Sequence, residues 1–235
     1  MKELRRVRLE RVPYAEAFEL QTRLHADRVA GRVGDVLILL EHPHVYTIGR
    51  RGTADDVLWD ADLLRARGVD LVETDRGGMV TYHGPGQLVG YPILDLGPGA
   101  DLVGYLRRLE EAIIRTLAVY GLESGRDTAN TGVWVRGAKI AAIGVRVTRN
   151  VTKHGFALNV ATDLSYFAGI VPCGITDRGV TSMAAELDSV PSLDDVARTF
   201  EAAFADVFGY DRVTFSVLRH LDRDRRGDGE KLVPA

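Results

Sequence analysis

Cysteine is almost missing: the 235-residue chain has one, Cys173. A disulfide framework and a multi-cysteine zinc site are therefore excluded. Long hydrophobic runs are missing too. The longest aliphatic stretch, Val36 to Leu40, is far short of the roughly 20 residues that span a bilayer as a helix. The opening MKELRRVRLERVPY lacks the apolar core of a secretory signal, so the expected location is cytoplasmic, away from the membrane. A strong charge of either sign is absent. The net charge of −3 argues against broad nucleic-acid binding and leaves room for a local basic patch. Lysine is scarce, with four against 26 arginines. Lys2 and Lys231 lie near the ends, and only Lys139 and Lys153 are interior. Arginine keeps its proton near neutral pH, whereas a desolvated lysine loses it, so an interior lysine in an arginine-rich chain is a candidate for chemistry.

What is present reads as one globular unit. A hydrophobic fraction of 46% and a charged fraction of 27% are ordinary for a folded domain, and the length suffices for a full core. Residues 4–11, 35–42, 45–48, 70–75, 88–96, 132–136, 138–147, 152–160 and 213–217 read as strands. Pro92 suggests an edge or a break in its strand. Helices are expected over 13–31, with Tyr14, Phe18 and Leu24 inward, and from Ala61 to Gly68. The clearest helix runs from Leu102 to Tyr120, where Leu102, Leu106, Leu109, Ile113 and Leu117 keep the 3.6-residue period. Ser192 and Asp195 open another. The grouped strands predict an α/β chain of the α+β type, a mixed β-sheet flanked by helices. Residues 1–220 are expected to form one domain, and 221–235 a charged, mobile tail.

Five places carry possible chemistry. Cys173 lies in GIVPCGI, a turn-like setting that suits a presented nucleophilic thiol, although a lone cysteine is also often a small core residue. Lys139, in RGAKIAAIGVRV, shares a strand face with Ala141, Ile143, Val145 and Val147. Desolvation there makes it a usable base, and the alternative is a strand-start lysine whose head reaches water. Residues 76–87, RGGMVTYHGPGQ, read as an irregular loop whose glycines admit close backbone approach. The loop has neither a GK[ST] ending nor the G-x-G-x-x-G spacing. It reads as a binding loop or a plain surface loop. In KHGFALNV, Gly155, Ala157 and Asn159 share a nearly bare strand face, opposite His154, Phe156, Leu158 and Val160. With Ala142, Ile143 and Gly144 it floors a groove or simply packs a helix closely. His42 and His44 in EHPH lack an obvious third ligand.

RGGMVTYHGPGQLVGYPILDL, GVWV with GAKIAAIG, HGFALN and PCGI occur in that order between Glu41 and Met183. Together they resemble the lipoyl(octanoyl) transferases, the octanoyl-[acyl-carrier-protein]:protein N-octanoyltransferases. The resemblance implies the fold of biotin and lipoate protein ligases. It implies transfer of an octanoyl group from the phosphopantetheine thioester of acyl carrier protein to the target lysine of a lipoyl domain. Such domains belong to 2-oxoacid dehydrogenase complexes and the glycine cleavage H protein. By the same resemblance Cys173 is the nucleophile and acyl carrier, and Lys139 the general acid/base that lowers the thiol pKa. Arg76, Gly77, Gly78, Met79, Val80, Thr81, Tyr82 and His83 would line the substrate site. Ala142, Ile143 and Gly144, with Gly155, Phe156 and Ala157, would face them. No cofactor or metal of the enzyme's own is implied.

Thioester exchange is nearly isoenergetic and amide formation from a thioester is downhill, so no ATP is required. Arg50, Arg51, Arg76, Arg146 and Arg149 are expected to form a positive rim for acidic partners. The competing readings are an ATP-dependent lipoate or biotin ligase, a cysteine hydrolase using His154 or His83, and a non-catalytic acyl-binding module.

Overall fold

The computed structural model describes residues 1–171 and 179–215. Cys173 and the expected tail lie outside the described residues. The elements are β1 (Glu3–Arg11), α1 (Tyr14–Val29), β2 (Asp35–Glu41), β3 (Val45–Ile48), α2 (Ala61–Ala66), β4 (Asp70–Glu73), β5 (Val80–His83) and β6 (Gln87–Ile93). They continue with α3 (Leu102–Val119), β7 (Val133–Val135), β8 (Ala138–Thr148), β9 (Val151–Asn159), α4 (Met183–Glu186), α5 (Leu193–Phe208) and β10 (Arg212–Phe215).

The sequence of β2 explains the layering. Its near-continuous aliphatic run is that of a strand covered on both faces. Leu37 and Leu39 join one core with Leu109, Ile113 and Leu117 of α3 and Phe200 and Phe204 of α5. Val36, Ile38 and Leu40 join a second core with Ala17, Leu20 and Leu24 of α1. Between these layers lies a seven-stranded sheet in the order β10-β1-β2-β6-β9-β8-β7. Its β10-β1-β2 end is parallel and the rest antiparallel. The mixed sheet flanked by helices is thus the expected fold class. A small sheet, β4-β3-β5, has its own core of Tyr46, Ile48, Val69, Val80, Tyr82 and Ile170.

Local chemistry sets the ends. Asp101 and Ser192 cap α3 and α5 by accepting the amides of Gly104 and Asp195. Gly209, at φ +67°, ends α5 in the left-handed region that glycine enters freely. Two residues, Arg149 and Asn150, join β8 to β9, both at positive φ (52° and 63°). This is the turn whose twist matches a tight hairpin.

Three expectations change. Residues 76–87 are not wholly irregular, because Val80–His83 pairs with β3 as β5. Pro92 lies in a central strand, so the edge reading fails and the other reading, a break, holds in the ladder to β9. Pairing of β6 with β9 stops after Gly90–Phe156 and resumes in the same register at Asp95–Val151. The Thr152 hydroxyl fills the gap, donating to Pro92 O (2.7 Å) and accepting from Leu94 N (2.9 Å), so the missing proline N–H leaves no hole in the ladder. Leu102, placed in the core by its periodicity, is exposed, and Tyr105 takes the buried position of that turn.

Candidate active site

The floor of the candidate site is the β8–β9 hairpin. Ala142 faces Ala157 and Gly144 faces Gly155 across it, and the small side chains leave space above the sheet. The glycines are sterically required. A Cβ on Gly155 would sit 2.1 Å from Gly90 O, and one on Gly144 would sit 2.9 Å from Gly77 O and 3.2 Å from Arg76 Cδ. The loop from Arg76 to Met79 lies over this floor. Gly77 N donates to Val145 O (3.0 Å), and Arg50 N and Arg51 N donate to Arg76 O and Gly78 O (3.0 and 3.1 Å).

Loop and floor bound a partly open cleft. Of the expected residues, Arg76, Gly77, Gly78, Thr81 and His83 line it from one side, and Ala142, Ile143, Gly144, Gly155, Phe156 and Ala157 from the other. Tyr14, Tyr91 and His154 complete the wall. The structure does not bring the remaining three into the cleft. Strand alternation turns Val80 and Tyr82 of β5 into the small sheet's core. Met79 faces a neighbouring cavity beside Lys139, Leu102 and Leu106.

Arg76 is buried, which removes it from the expected positive rim. Its guanidinium binds Thr47: Nε and Nη2 donate to Oγ1 (3.2 and 2.9 Å), and Nη2 also to the carbonyl. It holds the loop rather than facing solvent. Arg146 is engaged with Asp75 (3.4 Å), while Arg50, Arg51 and Arg149 are exposed.

His83 is buried and neutral. Burial pushes its pKa well below the usual imidazole value. Its Nδ1–H donates to Gln87 Oε1 (2.8 Å), Gln87 Nε2 donates to Asn159 Oδ1 (2.9 Å), and Asn159 Nδ2 donates to Thr181 O (3.0 Å). Thr181 N in turn donates to Lys139 O (3.0 Å). A continuous polar chain therefore runs from the cleft wall to the backbone of Lys139. His42 has both ring nitrogens engaged, Nδ1–H donating to Val12 O (2.6 Å) and Nε2 accepting from Tyr91 OH (2.7 Å).

Lys139 does not follow Ala141 into the core. The β7–β8 register slips between Val133–Ala141 and Trp134–Lys139, and this bulge breaks the alternation. Lys139 instead lines a small pocket with Gln87, Asn159 and Val180. That pocket adjoins the cleft, because Thr81, Ala142 and Ala157 line both. The ammonium lies 4.9 Å from the Trp134 ring centroid. The chain on either side of residues 172–178 is pinned here. Val171 N donates to Asp56 O (2.9 Å), and Lys139 N donates to Gly179 O (3.0 Å).

Asp75 was not singled out in the sequence. It accepts from His154 Nε2 (2.6 Å) and Lys153 Nζ (2.9 Å). Those bonds hold its carboxyl well below the usual carboxylate range, the His154 bond contributing most. His154 is at φ +60°, and this turns its ring off the Phe156–Leu158 face toward Asp75. Burial lowers its pKa, against the opposing pull of Asp75. The ring is neutral with the proton on Nε2, and its buried Nδ1 has no hydrogen-bond partner among the described residues. The available signal was that Lys153 is the second interior lysine and that Asp75 directly precedes the glycine loop.

Residues 13–205 match the family described as "Lipoyl protein ligase A/B catalytic domain". An octanoyltransferase of Solibacter usitatus is 56% identical over 204 residues, covering 86% of this chain and 92% of the relative. The chain belongs to the octanoyltransferase family. An octanoyltransferase of Chloroflexus aurantiacus is 52% identical over 85% of this chain and 92% of its own length. Octanoyltransferases are acyltransferases, and this chain is an enzyme of that class. The fold extends further. A bipartite lipoate protein ligase of Thermoplasma acidophilum superposes with a TM-score of 0.73 at 21% identity, covering 96% of this chain and 92% of that one. A biotin protein ligase of Aquifex aeolicus, solved with biotin and ATP, gives 0.55 at 14% identity, with 89% and 71% covered. No helix among the described residues is long and apolar enough to cross a membrane.

Proposed function

We propose that this octanoyltransferase moves an octanoyl group from the thioester of acyl carrier protein to the target lysine of a lipoyl domain, through a thioester on Cys173. The observation that carries the reading is Lys139 in the small pocket that adjoins the cleft, its backbone bonded to Gly179 six residues after the thiol. In the first half-reaction Lys139 takes the Cys173 proton, and the thiolate attacks the acyl carbonyl. The new S–C bond forms as the carrier's S–C bond breaks, and the proton leaves on the carrier thiol. In the second, the lipoyl-domain amine attacks the acyl-enzyme. The amide forms, the Cys173 S–C bond breaks, and Lys139 relays the amine proton to the thiolate. The small-residue floor receives the apolar tail and keeps water from the thioester.

Intact mass spectrometry after mixing with octanoyl-acyl carrier protein tests this. Wild type gains one octanoyl group, Cys173→Ser gains none, and Lys139→Ala gains it slowly. No adduct on rapidly quenched wild type would overturn the covalent route. Transfer from octanoate and ATP without carrier protein would favour an adenylating ligase instead.

A further inference from the structure

The far wall of the cleft is built differently from its floor. Along β9 the floor runs from Ala157, opposite Ala142 beside the Lys139 pocket, to His154, opposite Val145. Three residues at about 3.3 Å each cover roughly 10 Å. A saturated eight-carbon acyl chain has seven C–C bonds of about 1.5 Å and, as a zigzag, spans roughly 9 Å. A chain whose carbonyl lies between Ala142 and Ala157 therefore ends against the His154 ring.

That ring is fixed from several directions. Its Nε2–H donates to Asp75 at 2.6 Å, and the same carboxylate takes Lys153 Nζ at 2.9 Å and Arg146 Nε at 3.4 Å. The His154 amide donates to Oε1 of the buried Gln21 on α1 (2.9 Å). Phe18, also on α1, packs 5.7 Å from the ring centroid and 4.4 Å from the Lys153 ammonium. The backbone is held at φ +60°, a conformation that persists in a non-glycine residue only when its surroundings enforce it.

We propose that His154 is the end-stop that sets the longest acyl chain the cleft accepts, and that Asp75 is the positioning residue that makes the stop rigid. This rests on the acyl-transfer reading above. A wall of leucine or phenylalanine yields to a longer chain by changing rotamer. Moving His154 requires breaking its charge-assisted hydrogen bond to Asp75. Length discrimination then comes from electrostatics rather than from packing alone.

The test uses the full chain with acyl carrier protein bearing C6, C8, C10 or C12 chains and a lipoyl domain as acceptor, reading kcat/KM for each. His154→Gly suits the positive φ and removes the ring, and the C10-to-C8 ratio is expected to rise at least tenfold. Asp75→Asn keeps the shape and weakens the clamp, with an expected rise of about threefold. If His154→Gly does not fold, His154→Asn, which tolerates the same backbone region, gives the same readout with a smaller change. An unchanged ratio in a folded His154 variant overturns the end-stop. So does a larger thermal shift of the wild type with free dodecanoate than with free octanoate. Failure of the wild type to transfer a chain of any length overturns the acyl-transfer reading itself, and the end-stop with it.

Discussion

A glycine does work at Gly144 that no other residue can do. Its missing Cβ would lie 2.9 Å from Gly77 O and 3.2 Å from Arg76 Cδ, so Gly144→Ala lifts the loop off the floor. We expect kcat/KM to fall at least tenfold. The melting temperature should fall less than in Gly155→Ala, whose Cβ meets central-sheet backbone at 2.1 Å. Steady-state kinetics and thermal melts of the two variants check this. At Arg76 the shape of the group matters, since Nε and Nη2 converge on one threonine. A lysine presents a single point charge there and is not a conservative replacement. Residues such as these were legible because RGG, the Ala142–Gly144 run and Gly155 advertise close approach in their side-chain size. Asp75 was not legible, because its meaning lies in two partners 78 and 79 residues later in the chain.

Among the elements, α3 shows how a helix outside the cleft shapes its surroundings. Glu110 is fully buried, paired with Arg107 at 2.7 Å and Arg126 at 3.2 Å, and it accepts the amide of Gly132 at 3.1 Å. It fixes the approach to β7, the strand that carries Trp134 beside Lys139. Replacing it with alanine leaves the Gly132 amide without its acceptor, while the half-exposed arginines keep water and, for Arg126, Glu111, and about 1–3 kcal/mol of stability is expected to be lost. Urea unfolding would show this as a lower midpoint with an unchanged slope. The strands and long helices were readable from periodicity and end signals. The face of Lys139 was not, because one extra residue in β8 against β7 reverses the alternation that the pattern assumes. His154 escaped for the same kind of reason: a left-handed φ is a tertiary outcome that its sequence neighbours do not announce.

For the whole molecule, the buried neutral histidines make acid the weak side. His42 is pushed down to about 4 and His83 well below its usual value, both mainly by burial. The unfolded chain therefore binds protons that the native state refuses. Their contribution is complete above the unfolded value of about 6.5 and is lost as pH falls toward 4. For His42 it amounts to roughly 3 kcal/mol. Asp75, depressed by its partners, adds a second loss below about pH 4. Melting temperatures of the wild type are expected to drop between pH 6.5 and 4, and those of His42→Gln more shallowly. A further whole-chain expectation concerns β1. A chain ending at residue 211 lacks β10 and exposes the outer edge of β1, which should appear as concentration-dependent aggregation in light scattering.

The pairing of β1 with β10 also orders events during synthesis. The β8–β9 hairpin closes through a two-residue turn, so the floor of the cleft forms from neighbours within microseconds of emerging. Glu3 meets Arg212 only after almost the whole chain has been made. At the roughly 5–20 residues per second of translation, the first strand waits ten seconds or more for its final neighbour. The floor of the cleft is thus the fast, local part of this fold, and the seam between β1 and β10 is the slow, long-range part that a nascent chain must keep from pairing elsewhere.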